Sequence, residues 1–180
     1  HAVSVVPDVK RADIGTALLE RLQRVTGPIC HSPEGRAALA RLARRLPNET
    51  GPGRLEVVRG GVRTTVHLPG GTILINRALV EDFEEPDVVA GYIAAERLRA
   101  QANDPFEGLL DHAGLWATLR LLTTGELEPA TLDAYAQHLL TAPPNRLEDG
   151  ALLRGFETFG VRSTPYAYAL DISGETTLGL

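Results

Sequence analysis

The residue best suited to chemistry in this sequence is Glu96, a carboxylate in an otherwise apolar helical pattern. By the three-four spacing of a helix it shares a face with Val89 and Ile93. A carboxylate in such a place needs a chemical task or a cationic partner, since an unpaired buried charge is costly. Arg99 follows three residues later, a spacing that forms routine ion pairs on amphipathic helices. An ion pair is therefore the simplest interpretation of Glu96.

Histidine and cysteine side chains offer few further candidates. His67 stands alone in a strand pattern, and a lone histidine is more often structural than a ligand. His112 and His138 lie on different predicted helices, and a metal site formed by their convergence is an alternative that their spacing does not require. Cys30 precedes His31, but adjacent residues seldom place a base within reach of its nucleophile. Catalysis by this pair is not expected.

A strand followed by a helix, between Leu68 and Arg99, positions Glu96. The apolar run at residues 73–75 follows a glycine pair and predicts a short strand. Pro86 with Asp87 predicts the start of the long helix, because proline loses nothing at the first helical position. The sequence therefore places the carboxylate on a helix that directly follows a strand.

Upstream of that unit, the hydrophobic period changes to two. Leu55 and Val57 alternate with charged residues, and alternation resumes over residues 62–68 after the turn signal at Gly60 and Gly61. The pattern predicts a hairpin, which residues 72–76 extend to a three-stranded sheet.

The remaining segments are predominantly helical in pattern. An apolar helix around residues 109–122 is expected to pack against the long helix as core. In the N-terminal part, the patterns predict a helix from Asp13 to the stop at Gly27 and a helix from Ser32 and Pro33 to Pro47. In the C-terminal part, they predict a helix over 129–140, a helix over 147–159 capped by Gly160, and a closing strand or docked tail over 165–170. The two ends, 1–10 and 171–180, are expected to be loose.

Length and composition suit one α+β domain over residues 1–180, mainly helical with a small sheet. The net charge is −5 and the arginines are interspersed with acids, so nucleic-acid binding finds no support. Apolar runs stop well short of the roughly 18 residues that a membrane span needs, so a soluble domain is expected. The chain has no methionine, which predicts a processed or trimmed product, and a signal peptide or membrane anchor is one candidate for the removed segment.

Over roughly residues 34–115, the order of elements resembles the HtpX-like zinc metallopeptidases, above all the compact minigluzincins. The resemblance rests on LPGG at residues 68–71, the strand, a short helix and the long helix. It implies a zincin core, and a membrane-tethered or exported bacterial protein as the source of the trimmed chain. The long helix of that family carries His-Glu-x-x-His, and the five matching residues here run from Ala95 through Glu96 to Arg99.

The resemblance also implies that the zinc site of the family is broken in this chain. The glutamate that activates the metal-bound water remains as Glu96, a vestigial general base, while both histidines are replaced. Ala95 has no lone pair, and Arg99 carries a permanent positive charge and no acceptor. The third ligand of the family, a glutamate followed by an aspartate four residues on, has no match at the candidates Glu126, Glu128 and Glu148. No metal cofactor is expected.

The family's substrate-binding edge strand matches the residues just before the Pro-Gly-Gly turn. These residues are Thr64, Thr65, Val66, His67 and Leu68. An exposed strand edge accepts an extended peptide by strand addition, although natural sheets usually cover their edges with loops.

Three hypotheses follow. The first is a non-catalytic relative of a zinc metallopeptidase that binds a peptide or protein partner along residues 64–68, with Glu96 and Arg99 as a polar pair on the cleft floor. The second is a metal-dependent peptidase with other ligands, zinc bound, and Glu96 as general base. The third is a plain structural or interaction domain with no cleft over Glu96. The sequence does not name a partner, a compartment or an oligomeric state.

Overall fold

The computed structural model describes residues 6–46 and 53–171, and these form eight helices around a three-stranded mixed sheet. The predicted class, α+β and mainly helical, is confirmed. The elements are α1 Asp8–Thr26, α2 Pro33–Arg45, β1 Arg54–Val58, β2 Thr65–His67, β3 Thr72–Asn76, α3 Ala78–Glu81, α4 Pro86–Ala102, α5 Pro105–Thr124, α6 Pro129–Thr141, α7 Asp149–Phe159 and α8 Ser163–Leu170.

The sheet has the order β1-β3-β2, so the predicted hairpin between residues 54–58 and 62–68 is wrong. β1 pairs parallel with β3, and β2 pairs antiparallel with β3. The Pro-Gly-Gly turn makes the hairpin instead: Gly71 N–H donates to Leu68 O at 3.2 Å, with φ of +81° at Gly70. Proline before a glycine of positive φ is the signature of a type II turn. The apolar run of β3 is buried on both faces, which suits a central strand.

Apolar side chains cover the sheet on both faces. On one face, Ile73 and Ile75 of β3 pack in a cluster with Ile93 of α4. On the other face, Leu74 packs in a second cluster with Leu18 and Leu22 of α1. The sheet and α4 therefore share a largely apolar interface, and the C-terminal half of α4 contacts β2.

The helix starts carry local signals that the structure bears out. Ser32 accepts from Gly35 N–H and caps α2, and Pro86 occupies the first position of α4. α1 begins at Asp8, so the prediction of loose chain up to residue 10 and a helix from Asp13 is wrong. Its first turn is exposed, with Val9 at 74%, and therefore carries no apolar stripe to read. The predicted loose ends at 1–5 and 172–180, and the predicted end of the second helix at Pro47, lie outside the described residues.

Two predictions for the C-terminal half differ from the structure in whole or in part. For residues 165–170 the closing strand is wrong, because residues 163–170 form a helix. The alternative of a docked tail is confirmed, since α8 docks on α4 so closely that a Cβ on Gly91 would lie 2.7 Å from Tyr166 Cβ. α5 does not pack along α4, because its buried residues belong to the cluster with α1 and α6 on the other face of the sheet. Gly114 also breaks the helix, with φ +81° and ψ 176°. Phe106 and Leu109 before the break are buried, whereas Trp116 after it is 84% exposed.

None of the helices within the described residues is long and apolar enough to cross a membrane.

Candidate functional site

A cleft of about 220 Å³ lies between β2 and the C-terminal half of α4. Residues 63–67 form one wall, and the end of α6 with the following loop, up to Asn145, forms the other. Glu96 and Arg99 line it from α4, together with Ala100 one position on. The α4 residues that face the cleft are thus spaced by three and four, as one helix face requires.

Glu96 is the acidic group on the floor of this cleft, and its side chain is only 11% exposed. Its Oε2 accepts a hydrogen bond from Thr65 Oγ1 at 2.8 Å and a second from Arg99 Nη1 at 2.8 Å. The predicted Glu96–Arg99 pair is confirmed, but it is a largely buried pair rather than a surface one. Its partner Thr65 belongs to β2, so the carboxylate links the strand to the helix.

Arg99 joins three elements at the same point. Besides Glu96, it donates from Nε to Asn145 O at 3.0 Å, which ties α4 to the loop after α6. It also contacts the Tyr166 hydroxyl of α8: burial raises the pKa of Tyr166, and the hydrogen bond with Arg99 opposes that rise. The guanidinium is therefore a crosslink between elements that are distant in sequence, and its donors are directed at oxygen atoms of the protein.

His67 lies on the same face of β2 as Thr65, because strand side chains alternate, and it is 9% exposed. Burial lowers the pKa of His67 to about 4, although the hydrogen bond to the Glu96 backbone acts in the opposite direction. Its Nδ1 is buried and has no hydrogen-bond partner among the described residues. The buried imidazole is therefore neutral at physiological pH.

The outer edge of β2 carries backbone groups that do not bond to β3. Asn76 N–H donates to Thr64 O at 2.8 Å and Leu68 N–H donates to Thr72 O at 2.8 Å, so the even-numbered residues face β3. The N–H and C=O groups of Thr65 and His67 then point away from the sheet. Within the described ranges, no loop or cap hydrogen bond uses them. Residues 63–67 line the cleft, so this edge faces it.

The two zinc-ligand positions implied by the resemblance lie in different surroundings. Ala95 is fully buried in the apolar cluster with Ile93 and does not line the cleft. Arg99 lines the cleft but is committed to the ion pair. The residues do not fit a zinc ion here, since alanine offers no donor atom and the guanidinium would repel a cation.

The other metal candidates do not converge into a set of ligands. His112 and His138 do meet, with ring centroids 4.7 Å apart in a stacked arrangement beside Tyr135. In residues 6–46 and 53–171, however, no group of three or more His, Cys, Asp or Glu side chains is placed to hold a metal ion. Glu128 pairs instead with Arg120 at 2.9 Å.

Three partners of the ion pair were not predicted from the sequence. They are the Thr65 hydroxyl, the Asn145 carbonyl and the Tyr166 hydroxyl. They lie 31 residues before Glu96, and 46 and 67 residues after Arg99. No local pattern marks such contacts. Only the pairing of β2 beside α4 and the docking of α8 create them.

Neither a protein-family model nor a curated protein sequence matches this chain.

Proposed function

We propose that this chain is a non-catalytic relative of the HtpX-like zinc metallopeptidases, with a zincin-like core, that binds an extended peptide segment along the outer edge of β2. The observation that carries the proposal is the unpaired edge of Thr65 and His67, which faces a cleft whose floor is the Glu96–Arg99 pair.

Strand addition is the binding mode that this edge supports. Peptide backbones that pair with an exposed edge gain main-chain hydrogen bonds, and their alternate side chains enter neighbouring pockets. Here an added strand would bond to the N–H and C=O of Thr65 and His67, and alternate side chains would project toward α4 and the end of α6. Arg63 and the loop at Pro143 and Pro144 line the ends of the same cleft.

The floor of the cleft supports binding rather than hydrolysis. Glu96 already accepts two hydrogen bonds on one oxygen, and the guanidinium of Arg99 balances its charge. A general base has to reach the proton that it removes, through one hydrogen bond or one water. Both bonds engage Oε2 alone, and hydrolysis is disfavoured because Ala95 and Arg99 offer no ligand for a metal ion that could activate water.

A plain structural domain is the competing interpretation, and it expects no cleft over Glu96. A cleft of about 220 Å³ over that residue favours the binding function.

The test removes one edge N–H without removing a bond to β3. Peptides are first selected from a phage-displayed library of random linear sequences on the intact chain, and their affinity is measured by fluorescence anisotropy. Thr65→Pro removes the edge donor, and proline is tolerated at sheet edges. Thr65→Val is the matched control, because both variants lose the hydroxyl bonded to Glu96.

We expect Thr65→Pro to weaken peptide binding by about tenfold or more relative to Thr65→Val, which corresponds to one lost hydrogen bond of about 1.4 kcal/mol. Equal affinities for the two variants would refute strand addition at this edge. Elemental analysis of protein purified without chelators tests the non-catalytic part. One tightly bound zinc ion per chain would overturn it.

A further inference from the structure

The second half of α5, residues 115–124, presents an apolar ridge to solvent. Leu115 is 70% exposed, Trp116 84%, and Leu119 and Leu122 are 42% and 43% exposed. The spacing of these residues places them on one side of the helix. Single exposed apolar residues are ordinary on protein surfaces, whereas a contiguous apolar patch marks an interaction site.

The break at Gly114 produces this exposure. With φ +81° and ψ 176°, the chain changes direction between the buried half of α5 and the ridge. Thr118 Oγ1 donates to Gly114 O at 3.0 Å and closes the first turn of the new half. Of the residues that follow the break in α5, Leu121 is the one that is buried. The exposure of the ridge therefore results from the change in backbone direction at Gly114 and not from fraying of a helix end.

A shallow groove lies directly beside the ridge, with a volume of about 570 Å³. Small side chains such as Ala113 and Ala117 line part of it, the Arg120–Glu128 ion pair lines another part, and Trp116 of the ridge forms part of its edge. A protruding ring and a groove that adjoin on one surface patch can pair with the same patch of a second copy related by a two-fold axis. Each copy can then insert its ridge into the groove of the other, as an isologous interface requires.

The area agrees with a weak dimer. About 200 Å² of the Trp116 side chain is exposed, which is its exposed fraction of 84% multiplied by the area of a tryptophan side chain. The three leucines add on the order of 200 Å². Two copies would thus bury about 800 Å² through four side chains each, which is below the roughly 1,000 Å² of a stable specific interface and therefore indicates a weak, transient dimer.

We propose that residues 115–122 of α5 form a two-fold dimerisation surface, on which the Trp116 ridge of one copy packs into the groove beside the ridge of a second copy. An interface of this size lies below the range of stable specific contacts, so a weak dimer is expected, with a dissociation constant on the order of tens of micromolar. The proposal does not depend on the peptide cleft.

Sedimentation velocity on the full chain tests it, at concentrations from about 1 to about 200 µM, on both sides of the expected dissociation constant. We expect a concentration-dependent shift from monomer to dimer. Trp116→Ala should abolish the shift, since exposed aromatic anchors dominate interface energetics. The matched control is Tyr168→Ala, which removes an aromatic side chain that is 62% exposed on α8, away from the ridge. This control should dimerise like the unchanged chain.

Trp116 is the only tryptophan, so its fluorescence reports the interface directly. Iodide quenching should weaken as the dimer forms, in parallel with sedimentation. A chain that stays monomeric at the highest concentration would overturn the proposal. A Trp116→Ala variant that dimerises as strongly as the unchanged chain would also overturn it, and would direct attention to the exposed edge of β2.

Discussion

His67 should make the stability of this protein fall with acid in a defined pH window. Burial lowers the pKa of His67 to about 4 in the folded chain, against an ordinary value of 6.5. Between these two values the unfolded chain binds a proton that the folded chain does not. Stability is therefore full above pH 6.5 and declines as the pH falls toward 4, with a slope approaching about 1.4 kcal/mol per pH unit.

The size of the effect follows from the same two values. The difference between 6.5 and about 4 corresponds to about 3 kcal/mol in the free energy of unfolding. That is a large part of the 5–15 kcal/mol that holds a typical domain together. The physical source is the cost of a charged imidazole between β2 and α4, close to the guanidinium of Arg97, which also disfavours protonation.

His67→Gln isolates this contribution, because glutamine does not titrate and can still donate to the Glu96 carbonyl. Urea unfolding of both proteins should be followed by far-UV circular dichroism at several pH values from about 4 to about 7.5, the window set by the two pKa values. The helices provide that signal, whereas Trp116 is too exposed to report unfolding. Taking the difference between the two proteins cancels the titration of carboxylates that they share.

We expect the unchanged chain to lose stability relative to His67→Gln as the pH falls. His31→Gln, at an exposed histidine, is the control and should follow the unchanged chain. Parallel curves of unfolding free energy against pH for the unchanged chain and His67→Gln would refute the reasoning. That result would mean that the folded protein accommodates the charged imidazole.

Two further predictions concern stability. Arg99→Ala should lower the free energy of unfolding by about 3 kcal/mol, because it leaves Glu96 largely buried and without its cation. Adding Glu96→Gln should recover part of that loss, and strictly additive losses in urea titrations would contradict a coupled pair. Gly114→Ala should cost about 1–3 kcal/mol, since φ is +81° there and no neighbour would meet the added Cβ. Gly60→Ala, with equally open space and no positive φ, should be nearly neutral in thermal unfolding, and equal losses for both variants would rule out a backbone origin.

A part of this fold is predictable from the sequence when the residues that cause it lie close together in the chain. The start of α2 at Ser32 and Pro33 and the end of α7 at Gly160 follow from capping and turn chemistry within a few residues. The pairing of the strands does not follow from such local chemistry. Alternation in residues 54–58 and 62–68 predicts strands but names no partner. Both β1 and β2 pair with β3, which lies at the centre of the sheet and whose apolar run is covered on both faces.

The candidate site divides in the same way. Spacing alone paired Glu96 with Arg99, since positions three apart meet on any helix, and residue chemistry alone showed that Ala95 and Arg99 cannot bind zinc.

Only the tertiary structure placed Thr65 and Asn145 on that pair, buried His67 beside it, and turned Trp116 to solvent. Each of these outcomes depends on segments that meet across many residues, or on the direction that α5 takes after Gly114. Local sequence patterns determine which segments become helix or strand. The faces that these segments bury are decided by how the whole chain packs.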